Sequence, residues 1–214
     1  MPYKYDVFIS YKRGGTKERW VNENFLPLFK EYLGDSFAEA GLDDPRIFQD
    51  TSELVDGEDF TEALVSNVAQ SKCMVAIISP PYLVRSKWCM YEFMSMRYRE
   101  EALELELGPN RVPRSLIWPI LLQEMDPYPP IIRSIQLANY TKYNVIGAGF
   151  LNSEDYVSFQ RELRKDVKTV TNIVKNIPAW KREWDTSEWS EVVKQRLTDY
   201  FTAHTAPQQQ LISW

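Results

Sequence analysis

Two groups of residues have types and spacings that could do chemistry. Trp88 and Glu92 stand four apart in Ser86-Lys87-Trp88-Cys89-Met90-Tyr91-Glu92-Phe93. Ser86 can cap a helix here, so the two side chains share one helical face near its start. A carboxylate in the first turn feels the positive end of the helix dipole and stays ionised, which suits a fixed negative charge facing a developing cation. A plainer role fits as well, because acids are common in first turns for stability alone and Trp88 suits a core. The second group is Lys12-Arg13-Gly14-Gly15, a basic, turn-rich loop. It lacks the glycine and lysine spacing of a P-loop, and an exposed basic turn also explains it. Gly147-Ala148-Gly149 has no third glycine and follows the last strand, so it is no dinucleotide fingerprint.

The elements that must position these groups alternate between two periods. Tyr5–Tyr11 is a compact β-type run, and a helical pattern follows from about Lys17, with Trp20, Phe25, Leu28, Phe29, Tyr32 and Leu33 on its buried side. Pro27 predicts a kink or break in it, and Gly34 or Gly41 its end. Arg46–Gln49 reads as a second strand, followed by a polar loop over residues 50–58. Asp59 reads as the cap of a helix through Ser71, with Phe60, Leu64 and Val68 four apart. Cys73–Ser79 is a short continuous apolar run, the pattern of a fully buried strand, closed by Pro80-Pro81. The helix carrying Glu92 ends in an acidic run before Gly108-Pro109. Leu116–Leu122 is a fourth strand, where Pro119 suggests a bulge or an edge. A fifth strand is placed around Leu137 to Tyr143. This alternation gives an α/β class with a mainly parallel sheet.

In an open parallel sheet, ligands bind outside the carboxyl ends of the strands, where the strand order reverses. Lys12 and Arg13 leave the first strand, Asp50 the second, and Pro80 through Glu92 the third. With the order 2-1-3-4-5 of flavodoxin-like sheets, the first and third strands flank the crevice, and the basic pair faces Trp88 and Glu92. Such a site suits a ligand with phosphates at one end and a sugar or cation at the other.

Beyond the sheet, Tyr156, Phe159, Leu163, Val167, Val170, Val174 and Ile177 form an apolar stripe at helical spacing, ended by Pro178. It docks on the chain's own sheet or drives oligomerisation. A last helix begins near Asp185-Thr186-Ser187 and runs to a polar tail at Pro207.

Composition excludes several classes. The 214-residue chain is 44% hydrophobic with 14% aromatic residues, enough for a substantial core. Its net charge of −5 argues against general nucleic-acid binding. Cys73, Cys89 and the single His204 show no metal-ligand or triad grouping, so no metal is expected. The chain has neither a membrane-length apolar run nor a signal-peptide pattern, which predicts a soluble, cytoplasmic protein.

Tyr5–Tyr11 resembles the first box of Toll/interleukin-1 receptor (TIR) domains. Ile47-Phe48-Gln49-Asp50 and the loop Leu54-Val55-Asp56-Gly57-Glu58-Asp59-Phe60 resemble their second strand and the long loop after it. Ser86–Glu92 is similar to the segment that holds the glutamate in TIR domains able to cleave NAD+. The resemblance covers about residues 4 to 150. It implies a flavodoxin-like sheet of five parallel strands flanked by helices over residues 1–150, with 151–214 as a C-terminal helical extension that packs on the domain or assembles it. It also implies breakage of the nicotinamide–ribose bond of NAD+, a substrate rather than a cofactor, by hydrolysis or cyclisation. Glu92 would be the catalytic carboxylate. Trp88 and Tyr11 would line the pocket, Phe48 and Asp50 would lie at its edge, and Lys12 or Arg13 would approach the phosphates or adenosine. Leu54, Val55, Asp56, Gly57 and Glu58 would form an assembly loop for TIR–TIR contacts within a homo-oligomer, or with a partner TIR or sensor protein. Such enzymes act in bacterial immune and cell-death responses such as antiphage defence. The alternative is a non-catalytic TIR interaction module, an adaptor or decoy.

Overall fold

Strands Tyr5–Tyr11 (β1) and Ser71–Ile78 (β3) lie at the centre of the molecule, because both are mainly apolar and are buried on both faces. The computed structural model describes residues 3–49, 62–108, 115–133 and 135–205. Around these strands the order runs α1 (Gly15–Trp20), a π-helical segment Val21–Phe25, α2 (Leu26–Glu39), β2 (Ile47–Gln49) and α3 (Glu62–Ala69). After β3 come α4 (Pro80–Val84), α5 (Lys87–Leu107), β4 (Ile117–Leu121), α6 (Pro130–Arg133) and β5 (Ala138–Asn139). The chain ends in α7 (Ala148–Leu151), α8 (Glu154–Asn176) and α9 (Ser187–Thr205). All strand pairs are parallel, in the order β2-β1-β3-β4-β5. The class is α/β and flavodoxin-like, as the alternation predicts.

Side chains alternate across the sheet, so each face has its own core. Val7, Ile9 and Tyr11 join α2 and α8 on one face. Phe8, Met74, Ala76 and Ile78 join residues of α3, α5 and α9 on the other. Phe159, Leu163, Val167 and Val170 of the apolar stripe are buried in the first core, so α8 docks on the chain's own sheet. On the second face α9 lies against α5. Tyr91 and Ser190 share a buried hydrogen bond of 2.9 Å, Trp189 packs on Tyr98 with ring centroids 4.2 Å apart, and Arg196 pairs with Glu101 at 2.7 Å.

Several local expectations are corrected. Of the two predicted helix stops, Gly34 is passed and Gly41 is the one used: the helix ends at Glu39, and Gly41 makes the turn at φ 70°, in the left-handed region that favours glycine. Pro27 does not end the helical run, but the α-helical pattern is interrupted just before it. Its ring would crowd the carbonyl four residues earlier, and the π-helical segment just before it absorbs the conflict. Ser71 begins β3 instead of ending α3. Pro119 sits in an unbulged register with Ala76. Leu116 and Leu122, each three residues from Pro119, bond to β3, so in a parallel ladder Pro119 turns its missing N–H towards β5. There β5 pairs only at Ile120 and Leu121, so no ladder bond is lost at Pro119. The fifth strand is correspondingly short, and Thr141–Tyr143 is a 3₁₀ turn. The expected Asp59 cap and Phe60 lie outside the described residues.

The amino edge of the sheet is tied by ionic and polar groups. The buried Asp6 carboxylate accepts from the Arg46 backbone N–H at 2.9 Å and Nε at 3.2 Å, and pairs with Lys72 at 2.8 Å. Arg99, also buried, donates to the carbonyls of Ala69 and Lys72 and stands 5.0 Å from the Trp184 ring. Tyr3 and Trp180 donate to the Pro178 and Ala69 carbonyls, which fastens the chain between α8 and α9 to the same edge.

Candidate functional site

β1 and β3 are neighbours, while β2 and β4 flank them on opposite sides, so the strand order reverses between β1 and β3. At the carboxyl end of β1, Ser10 points to the α5 face, in phase with Phe8, and Tyr11 to the other. The Ser10 hydroxyl donates to Glu92 Oε2 at 2.5 Å and lies 2.8 Å from the Tyr82 hydroxyl. The sheet and α5 thus meet through a polar contact at the predicted crevice. Ser10, Tyr82 and Glu92 are all buried; Glu92 is 5% exposed.

α5 begins where the sequence predicts. Ser86 has extended backbone angles, and its Oγ accepts from the Cys89 N–H at 3.3 Å, which caps the helix. One inference from that start is overturned. With Lys87 as the first helical residue, Glu92 is the sixth, so it lies in the second turn and the first turn holds no acid. The helix dipole fades within the first turn, so the neighbours of Glu92 set its environment: Ser10 directly, and the charges of the basic loop.

Those charges reach this end of α5. Burial and the Glu92 carboxylate push the Cys89 thiol up, while Lys12 and Arg13 pull it down. Burial first, then Cys89 and Glu92, raise the Tyr82 phenol well above its ordinary value. Lys12 and Arg13 are half-buried where the chain leaves β1. Gly14 and Gly15 then turn it with φ of 92° and 67°, angles other residues rarely adopt.

Trp88 is half-buried one turn before Glu92 and packs on the second core, as does Phe48 of β2, whose ring stands 5.1 Å from Phe8. Glu92, Trp88, Lys12 and Arg13 therefore gather at one side and end of the sheet, while Phe48 shares that side but lies further back along the strands, its ring also 4.9 Å from that of Tyr5 at the start of β1. Tyr11 does not join them. Its ring belongs to the opposite core, and its hydroxyl accepts from Gln49, which also donates to Asn22. Asp50 and Leu54, Val55, Asp56, Gly57 and Glu58 lie outside the described residues. Ser10 and Tyr82 were not singled out in the sequence. Their only signal is a hydroxyl in phase with the core-facing Phe8, and a tyrosine just after Pro80-Pro81.

Chemically, the arrangement offers one oriented carboxylate, an indole at the rim and two cations nearby. Among the described residues, no helix is long and apolar enough to cross a membrane.

Residues 7–150 match the family model described as TIR domain. Among solved structures, the chain is similar to the TIR domain of the Toll-related receptor TRR-2 from Hydra magnipapillata, at 19% identity over 77% of this chain and 99% of that one, with a TM-score of 0.40. It is also similar to the TIR domains of the activated Roq1 resistosome, a structure described as directly recognising the pathogen effector XopQ, at 22% identity over 92% of this chain and 99% of that one, with a TM-score of 0.37. With the family match spanning the strands and the helix that build the site, the chain belongs to the TIR domain family.

Proposed function

We propose that this protein cleaves NAD+ between nicotinamide and ribose. The observation that supports the reading most is Glu92 held by Ser10 at the carboxyl edge of the two switch-point strands, beside a basic loop. Nicotinamide is bonded to ribose through a cationic ring nitrogen and departs as a neutral molecule, so no general acid is needed. Its loss leaves an oxocarbenium-like ribose that one carboxylate can stabilise, as in glycoside hydrolysis. Glu92 supplies that charge. Trp88 lines the ribose and nicotinamide end, Phe48 and Asp50 border it, and Lys12 and Arg13 attract the diphosphate. Water then gives ADP-ribose, or an internal hydroxyl gives a cyclic product. Activity rises on self-association through residues 54–58, in an immune or cell-death response within the cytoplasm. Residues 151–214 extend the catalytic domain.

One observation favours a second reading. Glu92 is almost out of solvent and already hydrogen-bonded, as suits a TIR module that only binds other TIR domains. Chromatography of NAD+ incubated with concentrated or surface-clustered protein separates the two. Under the enzymatic reading nicotinamide is released, and Glu92→Gln lowers the rate by about 100-fold or more while the fold is kept. A clustered wild type that releases none, or a mutant as fast as wild type, refutes it in favour of the interaction module.

A further inference from the structure

Glu92 is the end of a chain of hydroxyls rather than an isolated carboxylate. Ser10 Oγ carries one proton, and the structure commits it to Glu92 Oε2 at 2.5 Å. The 2.8 Å contact between Ser10 and Tyr82 must then run the other way, with the Tyr82 O–H donating to Ser10 Oγ. The order is Tyr82 to Ser10 to Glu92, three groups brought from the start of α4, the end of β1 and the second turn of α5. Tyr82 is 0% exposed and Ser10 1% exposed, so water does not compete for either hydroxyl. Both lie in surroundings where apolar side chains would pack as well, since Phe8, Met90 and Leu83 share that core. Burying two hydroxyls there is sensible only if each is satisfied, and here one carboxylate terminates both.

We infer that Ser10 and Tyr82 are positioning residues for Glu92, fixing one carboxylate oxygen so that the group meets the ribose in one orientation. This rests on the NAD+-cleaving reading. Donors in line polarise one another, so Tyr82 strengthens the Ser10 bond without touching substrate. Burial keeps the Tyr82 proton in place at neutral pH, since its phenol is raised well above its ordinary value. Neither residue contacts NAD+, so their loss lowers the rate of the chemical step and leaves binding nearly intact.

The test uses the full chain, clustered as above, with NAD+ as substrate, and reads kcat, KM and the melting temperature of each variant. Ser10→Ala should lower kcat about 10- to 100-fold, the scale of a misoriented catalytic group. Tyr82→Phe should lower it several-fold, and KM should change less than about threefold in both. Ser10→Thr, which keeps a hydroxyl, should recover most of the Ser10→Ala loss. The double variant Ser10→Ala/Tyr82→Phe should be no slower than Ser10→Ala, because Tyr82 acts only through Ser10. Wild-type release abolished by Glu92→Gln establishes the parent reading; unchanged kcat in Ser10→Ala and Tyr82→Phe then overturns the positioning role alone. Losses that follow melting temperature and are not recovered by threonine also overturn it. If Ser10→Ala does not fold, Tyr82→Phe decides, since it removes one oxygen and keeps the ring. No release by the wild type overturns both.

Discussion

Replacing Asp6 by Asn should destabilise the protein at neutral pH and cease to do so in acid. The carboxylate has 7% exposure and meets Lys72 at 2.8 Å and Arg46 at 3.2 Å, with those two side chains 24% and 53% exposed. At an effective dielectric near 20, a pair at this distance attracts by about 6 kcal/mol, and desolvation of a buried ion opposes it by several. What remains is of the size of a hydrogen bond to a charged group, about 1.5 to 3 kcal/mol for Lys72. The half-exposed Arg46 adds no more than about 1 kcal/mol. Asn still accepts from the Arg46 backbone N–H and recovers about 1 kcal/mol of the total. The net loss is therefore about 2 kcal/mol, or a fall in melting temperature of about 4 to 8 °C for a chain of this size. Burial alone would raise the Asp6 carboxyl, but the donors from Arg46 and Lys72 hold it below its ordinary value. A depressed carboxyl contributes stability that is fully present above the unfolded value near 3.9 and disappears as pH falls through the folded value. Urea melts of wild type and Asp6→Asn from about pH 7 down to about pH 3 should show the gap closing below about pH 4. A gap below about 0.5 kcal/mol at neutral pH, or one that persists in acid, refutes the assignment.

Two further outcomes follow from single contacts. Ser86→Ala removes the cap of α5 and should cost about 1 kcal/mol in urea melts, and no change outside error would show that the helix start is held by other groups. Burial raises the Asp166 carboxyl, which accepts from Tyr140 at 2.8 Å. A raised carboxyl weakens the fold as pH climbs past its unfolded value, so Asp166→Asn should be neutral or stabilising near pH 7 by up to about 1 kcal/mol. A clear loss at that pH counts against it.

The sheet and its order were legible because parallel strands announce themselves as continuous apolar runs between helical periods, and Cys73–Ser79 is such a run. Ser86 revealed the start of α5 through its cap. Counting from that cap also moves Glu92 out of the first turn, so the dipole argument failed by one turn while the face stayed right. Ser10 and Tyr82 were invisible because tertiary packing brings Ser10 to Glu92 across 82 residues of sequence and to Tyr82 across 72, and no local period encodes either contact. The family resemblance implies Tyr11 in the pocket, but alternation sends its ring to the opposite core, since a strand presents successive residues to opposite faces. Pro27 and Pro119 were read as interruptions. In both cases the chain accommodates the ring, once by a π-helical segment and once by turning the missing N–H towards the short strand β5.

Asp6 and Ser10 belong to the same strand, four residues and about 13 Å apart. The ions, carbonyl contacts and buried Arg99 that tie the chain together gather at one edge, and the carboxylate with its hydroxyls lies at the other. Selection can therefore act on the two ends separately. A lineage that loses Glu92 retains every tie at the amino edge, so, under the NAD+-cleaving function proposed above, a protein built this way can give up that activity and persist as a folded binding module through a change confined to the opposite rim.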